Sequence, residues 1–543
     1  MKVRFDMNDP RQPSEYCGPL WDLVGASQAT VGQVLRARAR ATPEATFLID
    51  QGRRHTFGEV LDRASRFAAL VPQSQGAPRV MSFLTHGADA VTVMLGTHLG
   101  GGVFTSINRQ LQGALLSDRL VRIRPTVLVT EASGVDALPV ITPGVCERVL
   151  FTDHIPGDFR HSMAVPVGLL GRALETSPMA ALPGIIPSQI ASLIFTSGTT
   201  GSPKAVRISH NQLCRGAARL VEGFKLDAQD VIHAWPSLSH VSGQLYSVMA
   251  ALVSGSALAL YPTFSASRFW EQVNSVSATF IIGFANVAKI LMESPAAAFD
   301  RHTLRLALLA GVTPAVAQSF EDRFGVRLVQ AYGMTEADPL TVSRWDVKEP
   351  IGSVGRAAAD FEIAVVDELD NPLPPGSVGR IVARPRAPFV MMDGYDGEPG
   401  ATLDAYRNLW FHTQDLGWLD AEGYLFFADR LKNAIRRRGE NISSLEIENV
   451  LRTHPGVAEC AVVGVPSPLG EQDIKAVLAP AVHPPAITPA QMHAFCVAHL
   501  PRFMVPRYFE LRASLPTTEV GKVRREELDG LGADVWDSEA APA

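Results

Sequence analysis

Cysteine is scarce in this chain of 543 residues: the five present, Cys17, Cys146, Cys214, Cys460 and Cys496, are scattered, and no two form a C-x-x-C pair. A disulfide framework, a zinc knuckle and a dithiol exchange motif are thereby excluded, and the five read as reduced core residues. Charge in excess of either sign is lacking too. With a formal net charge of −6 and no dominant basic run, the chain has no general means of holding nucleic acid or an anionic membrane. Any bound polyanion must be held by a local site. Long apolar runs are also missing. The longest, around Val248 to Tyr261, is about 14 residues and carries Gly and Ser, short of the ~20 that span a bilayer. The amino terminus, MKVRFDMNDPRQPSEY, has no apolar core of the kind a secretory signal needs, so a cytoplasmic protein is expected. No fixed-period repeat of the solenoid kind is present.

What is there is ordinary globular material, 46% hydrophobic and 19% charged, in a chain too long for one core. From about residue 30, short apolar runs alternate with amphipathic helical patterns, the mark of an α/β protein with largely parallel strands. Ile190 to Phe195 reads as a buried strand followed by a polar loop. Ser209 then opens a helix with a capping-box partner at Gln212 and apolar Leu213, Leu220, Val221 and Phe224. The unit recurs at Thr279 to Ile282, with Val287, Ile290 and Leu291 on its helix. It recurs again at Leu304 to Leu309, where Thr313-Pro314 starts a helix bearing Val316, Phe320 and Phe324.

Residues 351–425 differ, with β-type runs such as Glu362 to Val366 and Arg380 to Ala383 broken by Pro374-Pro375-Gly376 and Gly394, and predict a small β-rich subdomain. After Asp429 a basic stretch leads to a helix over Leu445 to His454, a strand over Cys460 to Val465 and a helix near Gln491 to Ala498. The expected division is therefore an N-terminal domain over residues 1–430 and a C-terminal domain over 431–543, frayed from about Asp529.

The richest local signal is Thr196-Ser197-Gly198-Thr199-Thr200-Gly201-Ser202-Pro203-Lys204, read as a strand-to-helix loop of hydroxyls, flexible amides and one ammonium. Such a loop can cradle phosphate oxygens or merely connect two elements. It is not a Walker A loop, because its glycines stand three apart and Lys204 follows proline. Ala331-Tyr332-Gly333-Met334-Thr335-Glu336 lies at a predicted strand end, where open α/β sheets place ligands. A carboxylate there would be repelled by a triphosphate, by roughly 4 kcal/mol for unit charges about 4 Å apart at an effective dielectric near 20. A divalent cation between them turns repulsion into a site, which makes Glu336 the natural Mg2+ ligand if ATP binds. Tyr332 offers a flat face to adenine or fills the core. Asp415 can accept ribose hydroxyls or cap a turn. Arg430 can meet ribose, phosphate or a surface carboxylate, and Lys522, directly after Gly521, says little alone.

In this order and spacing, the Thr196 to Lys204 loop, Tyr332 to Glu336, Asp415, the Asp429-Arg430-Leu431-Lys432 junction and Gly521-Lys522 resemble the adenylate-forming superfamily of acyl-CoA synthetases, luciferases and nonribosomal-peptide adenylation domains, from about residue 30 to 526. The resemblance implies two α/β subdomains, a distorted β-barrel-like subdomain and a mobile α+β lid hinged at Lys432. It implies an enzyme that uses ATP and Mg2+ to make an acyl-adenylate and passes the acyl group to coenzyme A. By the same resemblance the Ser197 to Lys204 loop holds the β- and γ-phosphates. Ala310, Gly311 and Val312 line the nucleotide and acid sites. Thr335 and Glu336 serve phosphate and metal, Asp415 and Arg430 the ribose, and Lys522 lies between carboxylate and α-phosphate. Gly439 lines the pantetheine tunnel, and the arginines beside it, Arg436 to Arg438, meet coenzyme A phosphates or coat a surface. His240, Gly243, Gly283 and Phe284 belong to the acid pocket.

The lid sequence Arg437 to Ser443 is most similar to the crotonobetaine/carnitine-CoA ligase branch, which hints at a small or polar acid. The chain departs from the pattern at Gln414 and Ala310, where glycine is usual, and at Asn286, where proline is common. Competing readings are an enzyme loading the phosphopantetheine of a carrier protein, a luciferase-like oxygenase, and a non-catalytic nucleotide-binding protein on the same fold.

Overall fold

The computed structural model of the chain describes residues 18–25, 28–72, 76–157, 159, 164–177, 183–196, 203–295, 299, 301–312, 314–430, 435–437, 440–442, 444–467, 470–481, 487–516, 523, 525–532 and 534–540. Apolar runs such as Leu306–Ala310, too short for helices and buried on both faces, become strands of layered sheets. One seven-stranded sheet has the spatial order Arg327–Val329, Leu306–Ala310, Phe280–Phe284, Val231–Ala234, Ala257–Leu260, Thr46–Asp50, Arg53–Thr56; all neighbours are parallel except the last pair. A second has the order Val167–Leu169, Arg148–Phe151, Val127–Thr130, Arg79–Phe83, Val103–Ser106, Ile190–Thr196, Lys204–Ser209, again parallel but for the last pair. The Ala88–Leu99 helix is buried at every position except Asp89, as a sequence that is mostly apolar around its whole circumference demands. It packs so closely on the Phe57–Ala68 helix that a Cβ at Gly96 would lie 2.7 Å from the Ala64 carbonyl oxygen.

The β-rich segment forms an antiparallel sheet of Phe361–Val366, Gly379–Pro385, Trp410–Leu419, Tyr406–Arg407 and Leu425–Arg430, beside a small sheet of Ala331–Met334, Ala337–Val342 and Arg356–Ala357. Two α/β subdomains, a barrel-like sheet and a C-terminal α+β unit thus agree with the expected fold class. The C-terminal unit has a sheet of Val457–Pro466, Gln472–Pro480, Tyr508–Leu511 and Trp536–Asp537, covered by the Ser444–Leu451 and Pro489–His499 helices. It touches the N-terminal region through Leu115, packed on its core, and through Gln112, whose amide donates to the Ala498 carbonyl at 3.3 Å.

Three expectations need correction. Lys204 does not end a loop that runs into a helix: it starts a strand, Lys204–Ser209, antiparallel to Ile190–Thr196, so the glycine-rich loop joins a hairpin. The buried Ala205, Val206 and Ile208 carried that signal. Ser209 does cap the His210–Phe224 helix, accepting from the Gln212 amide. The Gln212 side chain turns elsewhere, to the carbonyls of Thr335 and Glu336 at 3.3 and 3.4 Å. Nor is the tail frayed throughout: Trp536–Asp537 pairs with the Tyr508–Leu511 strand. Buried cations explain this. Lys475, fully buried, needs oxygen partners and finds Glu510 at 2.6 Å and the carbonyls of Leu528 and Gly530 at 2.9 and 2.5 Å. Arg507, half-buried, holds Asp537 at 2.8 Å. The four described cysteines are buried and free, as expected; Cys17 lies outside the described residues.

Candidate functional site

The site gathers at the carboxyl edge of the first sheet, where chain reversals free backbone and side chains for a ligand. Ala331–Met334 and Ala337–Val342 form a hairpin, and Thr335-Glu336 is its tip. Tyr332 points inward, and its hydroxyl donates to Asp415 Oδ2 at 2.9 Å. Asp415 sits within the Trp410–Leu419 strand, only 5% exposed, and is paired in register with Arg430. The Arg430 side chain lies outside what is described. Just before Asp415, Gln414 adopts φ +65°, the left-handed region that favours glycine. The departure from the family's usual glycine therefore keeps the glycine-like backbone and bears its strain.

Ala310, Gly311, Val312, Ala331, Tyr332, Gly333 and Asp415 all line one cavity of about 1020 Å³, together with Phe427 and Ser353. Seven residues expected to bind nucleotide thus share one space. Gly333 is required by close approach: a Cβ there would lie 2.4 Å from Asp338 Oδ1 and 2.9 Å from the Ala337 carbonyl oxygen. Asp338 is buried beneath it and bonded by the Tyr246 hydroxyl at 2.5 Å. Burial pushes the Asp338 carboxyl up to about 7, against the opposing effects of Tyr246 and Arg219.

At the hairpin tip the Glu336 carboxylate accepts from the Tyr395 hydroxyl at 2.7 Å, and Lys204 Nζ lies 4.8 Å from the centroid of the Tyr395 ring. Burial, then the Glu336 charge, raises the Tyr395 phenol, so it stays a donor. Tyr406, pushed up to about 12 by burial and then by Glu336 and Asp393, is likewise protonated at neutral pH. Among the described residues no group of three or more His, Cys, Asp or Glu side chains could cage a metal. Glu336, a single carboxylate at the hairpin tip, is a donor of the kind Mg2+ uses, since that ion takes one or two carboxylates and fills its shell with phosphate oxygens and water.

The residues expected in the acid pocket fall on neighbouring strand ends. Gly283 and Phe284 pair in register with Leu309 and Ala310. His240 and Gly243 follow the adjacent Val231–Ala234 strand, and the Gly243 amide donates to the His240 carbonyl at 3.2 Å. Both glycines are forced by space, since a Cβ at Gly243 would lie 2.1 Å from the Ser237 carbonyl oxygen and one at Gly283 2.7 Å from the Trp235 ring. Thr196 closes its strand opposite Lys204.

The Ser197 to Gly201 part of the loop, the Lys432 hinge, Gly439 and Lys522 lie outside the described residues. Arg437 neither coats a surface nor faces solvent: it is buried, donates to the Val505 carbonyl at 2.7 Å and pairs with Asp473 at 3.3 Å. Sequence reasoning missed Tyr395, Gln212 as a support for Thr335-Glu336, and the Tyr246–Asp338 pair. Only Gly394, at φ +91° beside Tyr395, left a trace in the sequence.

Residues 35–395 match the AMP-binding enzyme family, and residues 446–522 the AMP-binding enzyme C-terminal domain. The crotonobetaine/carnitine–CoA ligase of Salmonella typhimurium is 30% identical over 445 residues, covering 79% of this chain and 83% of that protein. Among solved structures, the o-succinylbenzoate CoA synthetase of Bacillus subtilis, bound with a product analogue, superposes with a TM-score of 0.80 at 23% identity, over 94% of this chain and 100% of that one. The amide bond synthetase McbA of Marinactinospora thermotolerans gives 0.77 at 24% identity, over 92% and 99%. The cavity built on Tyr332 and Asp415, and a family match spanning most of the chain, lead to one conclusion: the protein belongs to the AMP-binding enzyme family of AMP-forming ligases.

Proposed function

We propose that the chain is an ATP-dependent carboxylic acid–CoA ligase, forming an acyl-adenylate with release of pyrophosphate and then an acyl-CoA with release of AMP. The observation that carries this reading is the cavity lined by the Tyr332–Asp415 pair, with Tyr332 on a hairpin strand that runs on from Gly333 to the turn at Thr335-Glu336. A nucleoside is assigned to the cavity and the phosphate chain to the turn. In this reading Asp415 accepts the ribose hydroxyls, assisted by Arg430, while Tyr332 and the Ala310 to Val312 turn flank adenine. The Ser197 to Gly201 loop, Lys204 and Thr335 take the phosphates. Glu336 would hold Mg2+, which when bound neutralises the departing pyrophosphate.

The acid enters from the His240, Gly243, Gly283 and Phe284 side, which adjoins the nucleotide at Ala310. A carboxylate oxygen then attacks the α-phosphorus, and the bond to the β-phosphate oxygen breaks. Two anions approach in that step, so an ammonium aligned between them lowers the barrier. Lys522 is the residue proposed for it.

In the second step a thiolate attacks the acyl carbonyl and AMP leaves, which requires Lys522 to withdraw. The proposed division at residues 430/431, hinged at Lys432, allows that exchange, with Gly439 lining the thiol's approach. Coenzyme A is favoured over a carrier-protein arm because the curated relatives, matched over most of their length, are CoA ligases. Their acids, crotonobetaine and carnitine, are small and polar, which agrees with the class proposed here. No described helix is long and apolar enough to cross a membrane, and a reaction that draws on ATP and coenzyme A belongs in the cytoplasm.

The test is a panel of carboxylic acids assayed for pyrophosphate release with and without coenzyme A. Acid-dependent release accelerated by the thiol is expected. Release that never responds to coenzyme A would return the carrier-protein reading. Lys522→Ala should abolish adenylate formation and spare thioester formation from supplied acyl-adenylate; equal loss of both half-reactions would refute its assigned role.

A further inference from the structure

The segment around Tyr395 leaves the barrel subdomain and joins two strands of the site at once. On one side it pairs with the strand that begins at Lys204: the Arg207 amide donates to the Gly394 carbonyl at 3.0 Å, and the Asp396 amide to the Ala205 carbonyl at 2.8 Å. On the other side the Met392 amide donates to the Glu336 carbonyl at 2.7 Å. Ion pairs hold the segment down, Asp393 to Arg207 at 2.6 Å, Asp396 to Arg79 at 2.8 Å, and Glu398 to Arg122. The backbone at Tyr395 is fixed further by Thr402, whose Oγ1 accepts from the Tyr395 amide at 2.9 Å.

The result is one buried side chain in contact with both charged groups of the phosphate end. Its ring carries the Lys204 ammonium 4.8 Å from the centroid, and its hydroxyl donates to Glu336 Oε1 at 2.7 Å. A lysine and a glutamate that flank the same side chain would, without it, be drawn into an ion pair, and each would then be a poorer partner for phosphate or metal. The tyrosine satisfies the cation on its electron-rich face and the anion on its hydroxyl, through two interactions of different direction.

Resting on the ligase reading above, we infer that Tyr395 is a positioning residue of the nucleotide site, holding Lys204 and Glu336 apart and oriented so that the site takes ATP with its Mg2+ in preference to free ATP or AMP. Phenylalanine at this position keeps the ring and deletes only the hydroxyl. Leucine removes both.

The experiment is equilibrium binding by titration calorimetry of Mg2+–ATP, of ATP in EDTA and of AMP to the full-length protein and to Tyr395→Phe and Tyr395→Leu. Loss of one charge-assisted hydrogen bond should weaken Mg2+–ATP roughly tenfold in Tyr395→Phe, leaving AMP and metal-free ATP unchanged. Tyr395→Leu should weaken metal-free ATP as well, because Lys204 is then released to pair with Glu336. Two results overturn the inference: Mg2+–ATP binding by Tyr395→Phe equal to that of the natural protein, or a loss shared equally with AMP, which marks a mere packing role. Failure of the natural protein to bind any of the three ligands would overturn the ligase reading itself, and this inference with it.

Discussion

Substitution of Asp415 by asparagine tests the proposed ribose site. The side chain is 5% exposed, lines the cavity and accepts from the Tyr332 hydroxyl at 2.9 Å. Asparagine keeps its size and leaves an amide oxygen for Tyr332, so the strand and the ring beside it should stay where they are. What is lost is the charge proposed to receive the ribose hydroxyls. Hydrogen bonds to a charged group contribute about 1.5–3 kcal/mol, which predicts a fall of roughly 10- to 150-fold in affinity for AMP. Affinity alone would not separate a ribose contact from a cap, so AMP, 2′-deoxy-AMP and 3′-deoxy-AMP are titrated calorimetrically against both proteins. The natural protein should discriminate against at least one deoxynucleotide, and Asp415→Asn should lose most of that discrimination, a coupling of about 1 kcal/mol or more. Discrimination that is the same in both proteins would refute the reasoning and return Asp415 to a structural role.

Elements whose signal is local were legible in the sequence. Ile190–Thr196, Phe280–Phe284 and Leu306–Ala310 are apolar runs bounded by polar turns, and each became a strand. The Lys204–Ser209 strand was passed over because its apolar signal, Ala205, Val206 and Ile208, is short and lies between a glycine-rich loop and the cap at Ser209; its pairing with Ile190–Thr196 identifies it. The residues proposed for the nucleotide were legible as motifs, but their meeting was not: Asp415 comes from the barrel-like sheet and Tyr332 from the hairpin, 83 residues earlier. Tyr395, and the role of Gln212 beyond its place in the Ser209 cap, escaped. Each acts by supporting a group on another element, at a sequence distance of 59 residues for Tyr395 to Glu336 and 123 for Gln212 to Thr335. No periodicity or local spacing encodes such a contact. The tail was misjudged for a similar reason, since its acidic and alanine-rich composition reads as solvated until Lys475 and Arg507 are seen to need its oxygens.

Three further perturbations test the surroundings of the site. Gly333→Ala forces a methyl against Asp338 and the Ala337 carbonyl, so it should cost about 1–3 kcal/mol of stability and weaken AMP, read by thermal melting and calorimetry. Arg437→Met breaks a buried pair with Asp473 and should destabilise the C-terminal unit by roughly 3 kcal/mol in a calorimetric scan. A raised KM for coenzyme A with an unchanged melting temperature would instead make Arg437 a substrate contact. Asp338 gives the chain a pH dependence of definite sign. Burial lifts its carboxyl from an ordinary 3.8 to about 7, so between those values the folded protein holds a proton that the unfolded chain has released. Stability from this group is therefore fully present below about pH 4, declines as pH rises and is gone above about pH 7, with an upper bound near 4 kcal/mol. Asp338→Asn removes the titration while keeping an acceptor for the Tyr246 hydroxyl, so the slope of unfolding free energy against pH between 5 and 7 should become less negative. Urea unfolding at several pH values measures that slope, and identical slopes in the two proteins would mean that Asp338 is ionised in the folded state throughout, paired by Tyr246 and Arg219 rather than neutralised by burial.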